Sequence, residues 1–258
     1  MEKFETKQNI DGIKERNKLY KLFSKIYEDD KINDHIVFQS LGLFIRNSGL
    51  AKILFINELY EMILERPGII MEFGCHTGQN LVLFENLRAI YEPFNNQRRI
   101  IGFDSFEGYK SVEKEIDGEA PEIVGDGYLL PSDYEETLSS ILRYHEENSV
   151  MPENSRCELV NGDVITTAHK FVQEHPGEIV ALAYFDLATY NPTKVCLEAI
   201  LPRLIPGSIL LMDELNFREY PGASIAFLEV VKQHGIVYKT QTSKYMRDRT
   251  IVTISKVG

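Results

Sequence analysis

Met71-Glu72-Phe73-Gly74-Cys75-His76-Thr77-Gly78-Gln79-Asn80 joins a short apolar run to an amphipathic one. The run before it, 69–73, is nearly all Ile, Met and Phe; the stretch after it, 80–91, has apolar residues at helical spacing. The passage therefore reads as a strand, a tight turn and a helix. Gly74 and Gly78 bracket the turn, where a missing Cβ lets backbone come close to a ligand. Their spacing is Glu-x-Gly-x-x-x-Gly and not Gly-x-Gly-x-x-Gly. A dinucleotide pyrophosphate wants the three-glycine turn at a helix start, so this loop suits a ligand without phosphates better.

Outward from that passage the same alternation repeats. Short Ile/Val/Leu/Phe/Ala runs at 99–103, 157–160, 179–185 and 208–212 alternate with helix-like stretches at 134–147, 164–174 and 192–204. Near-continuous apolar runs are the mark of strands covered on both faces in a parallel sheet. Right-handed strand–helix–strand crossovers then give a doubly wound α/β sheet. The end of the chain differs. Two strand-like runs, 236–241 and 250–255, flank a polar loop at 242–249, which predicts a hairpin that adds antiparallel strands and brings the sheet to seven.

Upstream, residues 12–65 read as helices. Leu50, Ile53, Leu54, Ile56, Leu59, Tyr60, Ile63 and Leu64 form one apolar stripe, and Pro67-Gly68 stops it. The expected organisation is a helical segment over 1–66 and an α/β domain over 67–258. Within that domain, 107–155 is longer than a simple crossover and reads as a lid or substrate wall carrying one helix.

The chain has 258 residues with a formal net charge of −11, which argues against a nucleic-acid partner because that binding rests on Lys and Arg. No apolar run approaches the roughly 20 residues of a membrane span. The mixed-charge N-terminus lacks a signal-peptide core, so the cytoplasm is the expected location. Cys75, Cys157 and Cys196 match no zinc spacing and read as buried free thiols.

Ligands in doubly wound sheets bind at the carboxyl ends of the strands. After the second strand stands Asp104-Ser105-Phe106, where an acid can accept two ribose hydroxyls. After the third stands Asp163-Val164, where the aspartate can cap the next helix or accept from an adenine amino group. His76 lies in the first loop, where it either touches a ligand or is merely exposed. Strands four and five end in Asp186 and in Asp213-Glu214. Adjacent strands lie roughly 4.8 Å apart, and carboxylates that close repel unless a proton or a cation sits between them. Oxygen ligands of this kind favour Mg²⁺ over a transition metal. Tyr190 and Asn216 follow these acids and read as neighbours of an acceptor.

Taken together, these stretches resemble the TylF-like (macrocin O-methyltransferase) family of class I S-adenosylmethionine-dependent methyltransferases. The likeness runs from about residue 68 to 231. It is clearest in Glu72-Phe73-Gly74-Cys75-His76-Thr77-Gly78, in Phe103-Asp104-Ser105-Phe106-Glu107-Gly108, in Tyr184–Thr193, and in Leu201-Pro202-Arg203-Leu204-Ile205-Pro206-Gly207 running into Met212-Asp213-Glu214. The terminal hairpin is part of the same layout. The resemblance implies S-adenosylmethionine as cofactor, held by Glu72, Gly74, His76, Gly78, Asp104, Ser105, Phe106, Asp163 and Val164. Glu72 and Gly74 would lie along its methionine part, Asp104 would hold its ribose, and Asp163 would face its adenine. It further implies O-methylation of a sugar, with Asp186 as base and metal ligand and Asp213 and Glu214 as further Mg²⁺ ligands. Two positions depart from the family pattern: Ala188 stands where a second aspartate is usual, and Glu214 where Asp-Asp is typical.

Other readings stay open at this stage. The methyl could go to nitrogen or to a non-sugar hydroxyl, or the chain could be a non-catalytic nucleotide-binding protein on the same fold. The apolar faces within 12–65 would serve a homodimer contact as easily as a lid.

Overall fold

Burial on both faces makes the strands here. The computed structural model describes residues 18–19, 21–26, 34–109, 112–118 and 128–257. Strand β1 (Ile69–Phe73) is buried at every position, as is β4 (Val180–Phe185). With β2 (Ile100–Asp104), β3 (Cys157–Asn161), β5 (Leu204–Met212), β6 (Val237–Thr242) and β7 (Thr250–Lys256) they form one sheet of order β3-β2-β1-β4-β5-β7-β6. β1 to β5 run parallel, and β7 is antiparallel to both β5 and β6. The doubly wound sheet with a closing hairpin is thus as the sequence predicts.

Helices cover both faces. α3 (Gln79–Tyr91) and α5 (Tyr134–Glu147) contribute to one core cluster, with α2 (Asn47–Ile63). The other cluster takes α6 (Val164–Glu174), α7 (Tyr190–Ile200) and α8 (Gly222–Gln233). Alternation along β1 divides its side chains between the two: Ile69, Met71 and Phe73 join one cluster and Ile70 the other. Phe73 lies between Phe103 and Phe185, with ring centroids 4.9 and 5.0 Å away. Each such ring contributes about 1.5–3 kcal/mol by burial alone.

The described chain falls into two units that part between Leu50 and Ala51. The first contains α1 (Asp34–Gln39), a 3₁₀ turn at Leu41–Leu43, and a contact between the Phe23 and Phe44 rings at 4.8 Å. Much of the helical reading of 12–33 lies outside the described residues. Among those residues no helix is long and apolar enough to cross a membrane.

Several expectations are corrected. β3 is an edge strand whose residues are only partly buried, so its apolar composition did not mean cover on both faces. Cys157, at its start, is partly exposed, while Cys75 and Cys196 are buried. The buried stripe of α2 is Phe55, Ile56, Leu59, Tyr60 and Ile63, and Leu54 stays 36% exposed. α7 starts at Tyr190, ahead of Pro192, because proline is tolerated in the first turn where its N–H has no helical partner. β5 extends back to Leu204 through Pro206-Gly207, which an irregular register against β4 accommodates. The 107–155 stretch holds a second short helix, α4 (Lys114–Asp117), before α5; its Gly125 and Gly127 lie outside the described residues.

Candidate active site

The carboxyl ends of the parallel strands open onto a cleft of about 880 Å³, its mouth included. At the β1 end, Gly74 donates its N–H to the Phe103 carbonyl at 2.8 Å, and its φ is +84°. A Cβ there would stand 2.2 Å from the Asp186 carbonyl oxygen, so only glycine lets the β1 and β4 loops meet. Asp104 ends β2 with both oxygens already engaged: Oδ2 accepts the His76 N–H and Oδ1 the Phe106 N–H, each at 2.7 Å. Those donors fix the plane of the carboxylate while leaving each oxygen a lone pair for a hydroxyl. To present their N–H groups this way, His76 and Phe106 take φ of +45° and +55°. Asp163 caps α6, its Oδ1 accepting the Ile165 N–H at 3.0 Å.

Glu72 lies beneath this floor, 1% exposed. Its Oε1 accepts from Asn80 Nδ2 at 2.6 Å, and its Oε2 is buried without a partner. Burial raises its pKa to about 8, against the opposing pull of Asn80 and Lys52 and with help from the charges of Asp186 and Asp104. A buried carboxyl with one idle oxygen has a hydrogen bond left to offer a ligand.

The other half of the site stands at the ends of β4 and β5. The ladder runs past the strands, with Asp186 N–H on the Phe73 carbonyl at 2.9 Å and Asp213 N–H on the Phe185 carbonyl at 3.0 Å. One carboxylate oxygen each from Asp186, Asp213 and Glu214 fall within 4.8 Å of one another. All three acids have raised pKa values, first by burial; the charge of Asp186 adds to the other two, and Asp213 reaches about 6. The Glu214 carboxyl shares a hydrogen bond with Asp186. Oxygen donors this crowded suit a hard divalent cation.

Of the residues named from sequence, Gly74, His76, Asp104, Ser105, Asp163, Val164 and Asp186 line the cleft. Glu72 lies below it, and Phe106 packs its ring on the core while its backbone serves Asp104. Gly78, with φ +74°, opens α3, and a Cβ on it would strike Leu138. Tyr190, expected beside an acceptor, turns its hydroxyl away to Glu229 at 2.6 Å. Asn216 is exposed, with φ +66°.

Sequence reasoning missed the aromatic wall. Tyr109 and Tyr128, from the 107–155 stretch, line the cleft edge to face at 5.3 Å, and Tyr128 meets His76 at 5.7 Å. Tyr109 shares the cleft lining with Asp186, and burial, then the charges of Asp186 and Glu214, push its pKa up. The same stretch is pinned by Asp117, whose Oδ1 accepts the Tyr190 N–H and Oδ2 the Glu113 N–H, both at 2.7 Å. Thr189, the N-cap of α7, makes no side-chain cap, so Asp117 does the capping from the insertion. Also missed were Lys52, Tyr184 and Arg249, which converge on Asp213.

A parallel sheet of this strand order closed by an antiparallel β7, with a glycine turn after β1 and an acid after β2, defines a class I S-adenosylmethionine-dependent methyltransferase. No protein-family model matches the chain, and no curated protein does. Among solved structures it is similar to the crystal structure of CalS11, a calicheamicin methyltransferase. That match is at 33% identity and TM-score 0.84, over 93% of this chain and 92% of the other. An apo structure of CalS11, described as a TDP-rhamnose 3′-O-methyltransferase, matches at 32% identity and TM-score 0.78 over 93% and 94%. The O-methyltransferase NovP, at 17% identity and TM-score 0.64 over 81% of each chain, shares the fold. The chain belongs to the TylF-like family of class I methyltransferases.

Proposed function

We propose that this enzyme methylates a hydroxyl of a sugar, nucleotide-linked or part of a larger glycoside, with help from a divalent cation. The observation that carries this reading is the meeting of two kinds of site at Asp186. This residue lines the cleft with Asp104 on one side and belongs to the acidic cluster on the other. The likeness to CalS11, a TDP-rhamnose 3′-O-methyltransferase, at 32% identity over nearly the whole chain supports a sugar acceptor.

S-adenosylmethionine supplies an electrophilic methyl group on a sulfonium centre. Its fit is argued from the glycine at position 74, the prepared Asp104 carboxylate and the idle Oε2 of Glu72. Asp104 would accept from the ribose hydroxyls, Asp163 and Val164 would flank the adenine, and Glu72 and Gly74 would border the methionine part. His76, Ser105, Phe106 and Gly78 shape the loops around them. Mg²⁺ would supply acidification and orientation of the acceptor hydroxyl. Asp186, Asp213 and Glu214 would hold it, a fit argued from their crowding and their all-oxygen chemistry.

Asp186 would take the proton from the acceptor hydroxyl as that oxygen becomes the nucleophile for the sulfonium methyl group. A positioned general base typically contributes about 10²–10⁴-fold. Most of the acceleration comes from placement, since well-oriented reactants reach effective molarities of roughly 10⁵–10⁸ M. Tyr109 and Tyr128 wall the cleft on the insertion side, where ring faces suit the apolar face of a sugar.

Calorimetric titration with S-adenosylhomocysteine, with and without Mg²⁺, tests the cofactor half. Micromolar binding is expected, weakened by about 10-fold or more in Asp104→Ala, since hydrogen bonds to a charged group are each worth about 1.5–3 kcal/mol. Binding that ignores the substitution would remove Asp104 from the site. Methyl transfer to a panel of free and nucleotide-linked sugars then tests the acceptor, and transfer only to non-sugar hydroxyls would overturn it.

A further inference from the structure

Among the described residues, the contacts that hold the Asp213 carboxylate fall on Oδ1. The Tyr184 hydroxyl donates to its Oδ1 at 2.8 Å, and Arg249 Nε stands 2.5 Å from that same Oδ1. Behind the tyrosine, Lys52 Nζ donates to the Tyr184 oxygen at 2.9 Å. An ammonium has only donors and a hydroxyl has one proton, so the direction is set: Lys52 to Tyr184 to Asp213. The three holders come from separate places, Lys52 on α2, Tyr184 in β4 and Arg249 just before β7.

Tyr184 has little freedom to do anything else. It is fully buried, its ring meets Phe55 edge to face at 6.4 Å, and the Lys52 ammonium lies 5.0 Å from the ring centroid. Arg249 is likewise tied, its guanidinium reaching Asp248 Oδ2 at 2.7 Å. A carboxylate left alone turns broadly about its last bond. One hydrogen bond, from Tyr184, and one ion pair, with Arg249, act on the same oxygen and restrict that freedom.

We propose that Lys52, Tyr184 and Arg249 are positioning residues that clamp Asp213 by Oδ1 and so present Oδ2 to a divalent cation shared with Asp186 and Glu214. The inference rests on the cation reading of the acidic cluster given above. Two positive side chains beside three crowded carboxylates also lessen their mutual repulsion while the cluster awaits its ion. A mere tether between hairpin and sheet would hold the fold together without changing how tightly the cluster binds an ion, and that separates the two roles.

The experiment is a Mn²⁺ titration followed by electron paramagnetic resonance, on the full chain and on Tyr184→Phe, with S-adenosylhomocysteine affinity measured alongside. The phenylalanine keeps the ring and deletes only the hydroxyl. The Mn²⁺ dissociation constant is expected to rise about 10-fold or more, as when a group orienting a metal ligand is removed, with cofactor affinity unchanged. Arg249→Lys should retain more of the affinity than Arg249→Met. If Tyr184→Phe does not fold, Lys52→Met, at a half-buried position, carries the same prediction. Equal Mn²⁺ affinity in the variant and the parent would overturn the clamp and leave the cation reading standing. No Mn²⁺ binding by the parent would overturn both.

Discussion

The two halves of the cleft floor treat carboxylates in opposite ways. At the ends of β1 and β2, one aspartate is surrounded by donors: both Asp104 oxygens receive backbone N–H groups at 2.7 Å. At the ends of β4 and β5, three acids surround one another within 4.8 Å. The first half is organised by backbone and is complete as it stands. The second is organised by side chains and is electrostatically unfinished, so it calls for something positive. The difference teaches where each partner's binding energy acts. The cofactor half needs shape and fixed acceptors, whereas the acid half stores repulsion that a cation or a transferred proton relieves.

If the halves are separable, Asp186→Asn is the sharpest cut. Turnover should fall about 10²–10⁴-fold, the usual worth of a general base, while S-adenosylhomocysteine affinity stays within a few-fold. Single-turnover kinetics beside calorimetry gives both numbers. An equal loss in affinity would mean the acid half also holds the cofactor, and the contrast would fail.

Gly74 is where the halves touch, so Gly74→Ala should damage both. The added Cβ would meet the Asp186 carbonyl at 2.2 Å on a backbone with φ +84°. Strain of this kind costs about 1–3 kcal/mol, a drop of several degrees in Tm for a chain of this size, and cofactor affinity and turnover should fall together. Scanning calorimetry and the two assays check it; a loss confined to turnover would show that the β1 loop adapts.

A further effect is a slope with pH. Burial holds the Glu72 carboxyl at about 8 in the folded chain, against 4.5 ordinarily. Between those values the unfolded chain has released a proton that the folded chain keeps. Stability is therefore fully present below about pH 4.5 and is lost as pH rises toward about 8. Measured against Glu72→Gln, the parent's Tm should decline across that window; a pH-independent difference would show Glu72 already ionised in the fold.

The strands and their loops were legible because buried parallel strands write continuous apolar runs and their glycine turns are local. Gly74, Asp104, Asp163, Asp186 and Asp213 could be read because each follows its own strand directly. β3 misled because an edge position is a property of strand order, which Cys157–Asn161 does not carry in its composition. Lys52 and Tyr184 lie 132 positions apart, and no local spacing links them. A partial signal did exist for Tyr184: two residues before Asp186 in a strand, it shares that acid's face. Tyr190 misled in the other direction, since nearness in sequence to Asp186 said nothing of the Glu229 carboxylate waiting on α8. At Phe106 the backbone N–H serves Asp104 while the ring packs on the core, and composition carries no sign of which part of a residue a site uses.

His76, Phe106, Ala188 and Asn216 follow β1, β2, β4 and β5 in turn, and all four hold left-handed backbone, with φ between +45° and +66°. For a residue with a Cβ this conformation costs about 1–2 kcal/mol, against a whole-domain stability of about 5–15 kcal/mol. Anyone engineering a hardier version of this enzyme has an ordered set of positions in hand. Glycine at exposed Asn216 relaxes a turn that faces solvent. Glycine at His76 or Phe106 relaxes the two turns that aim Asp104, and there durability would be gained at the expense of cofactor grip.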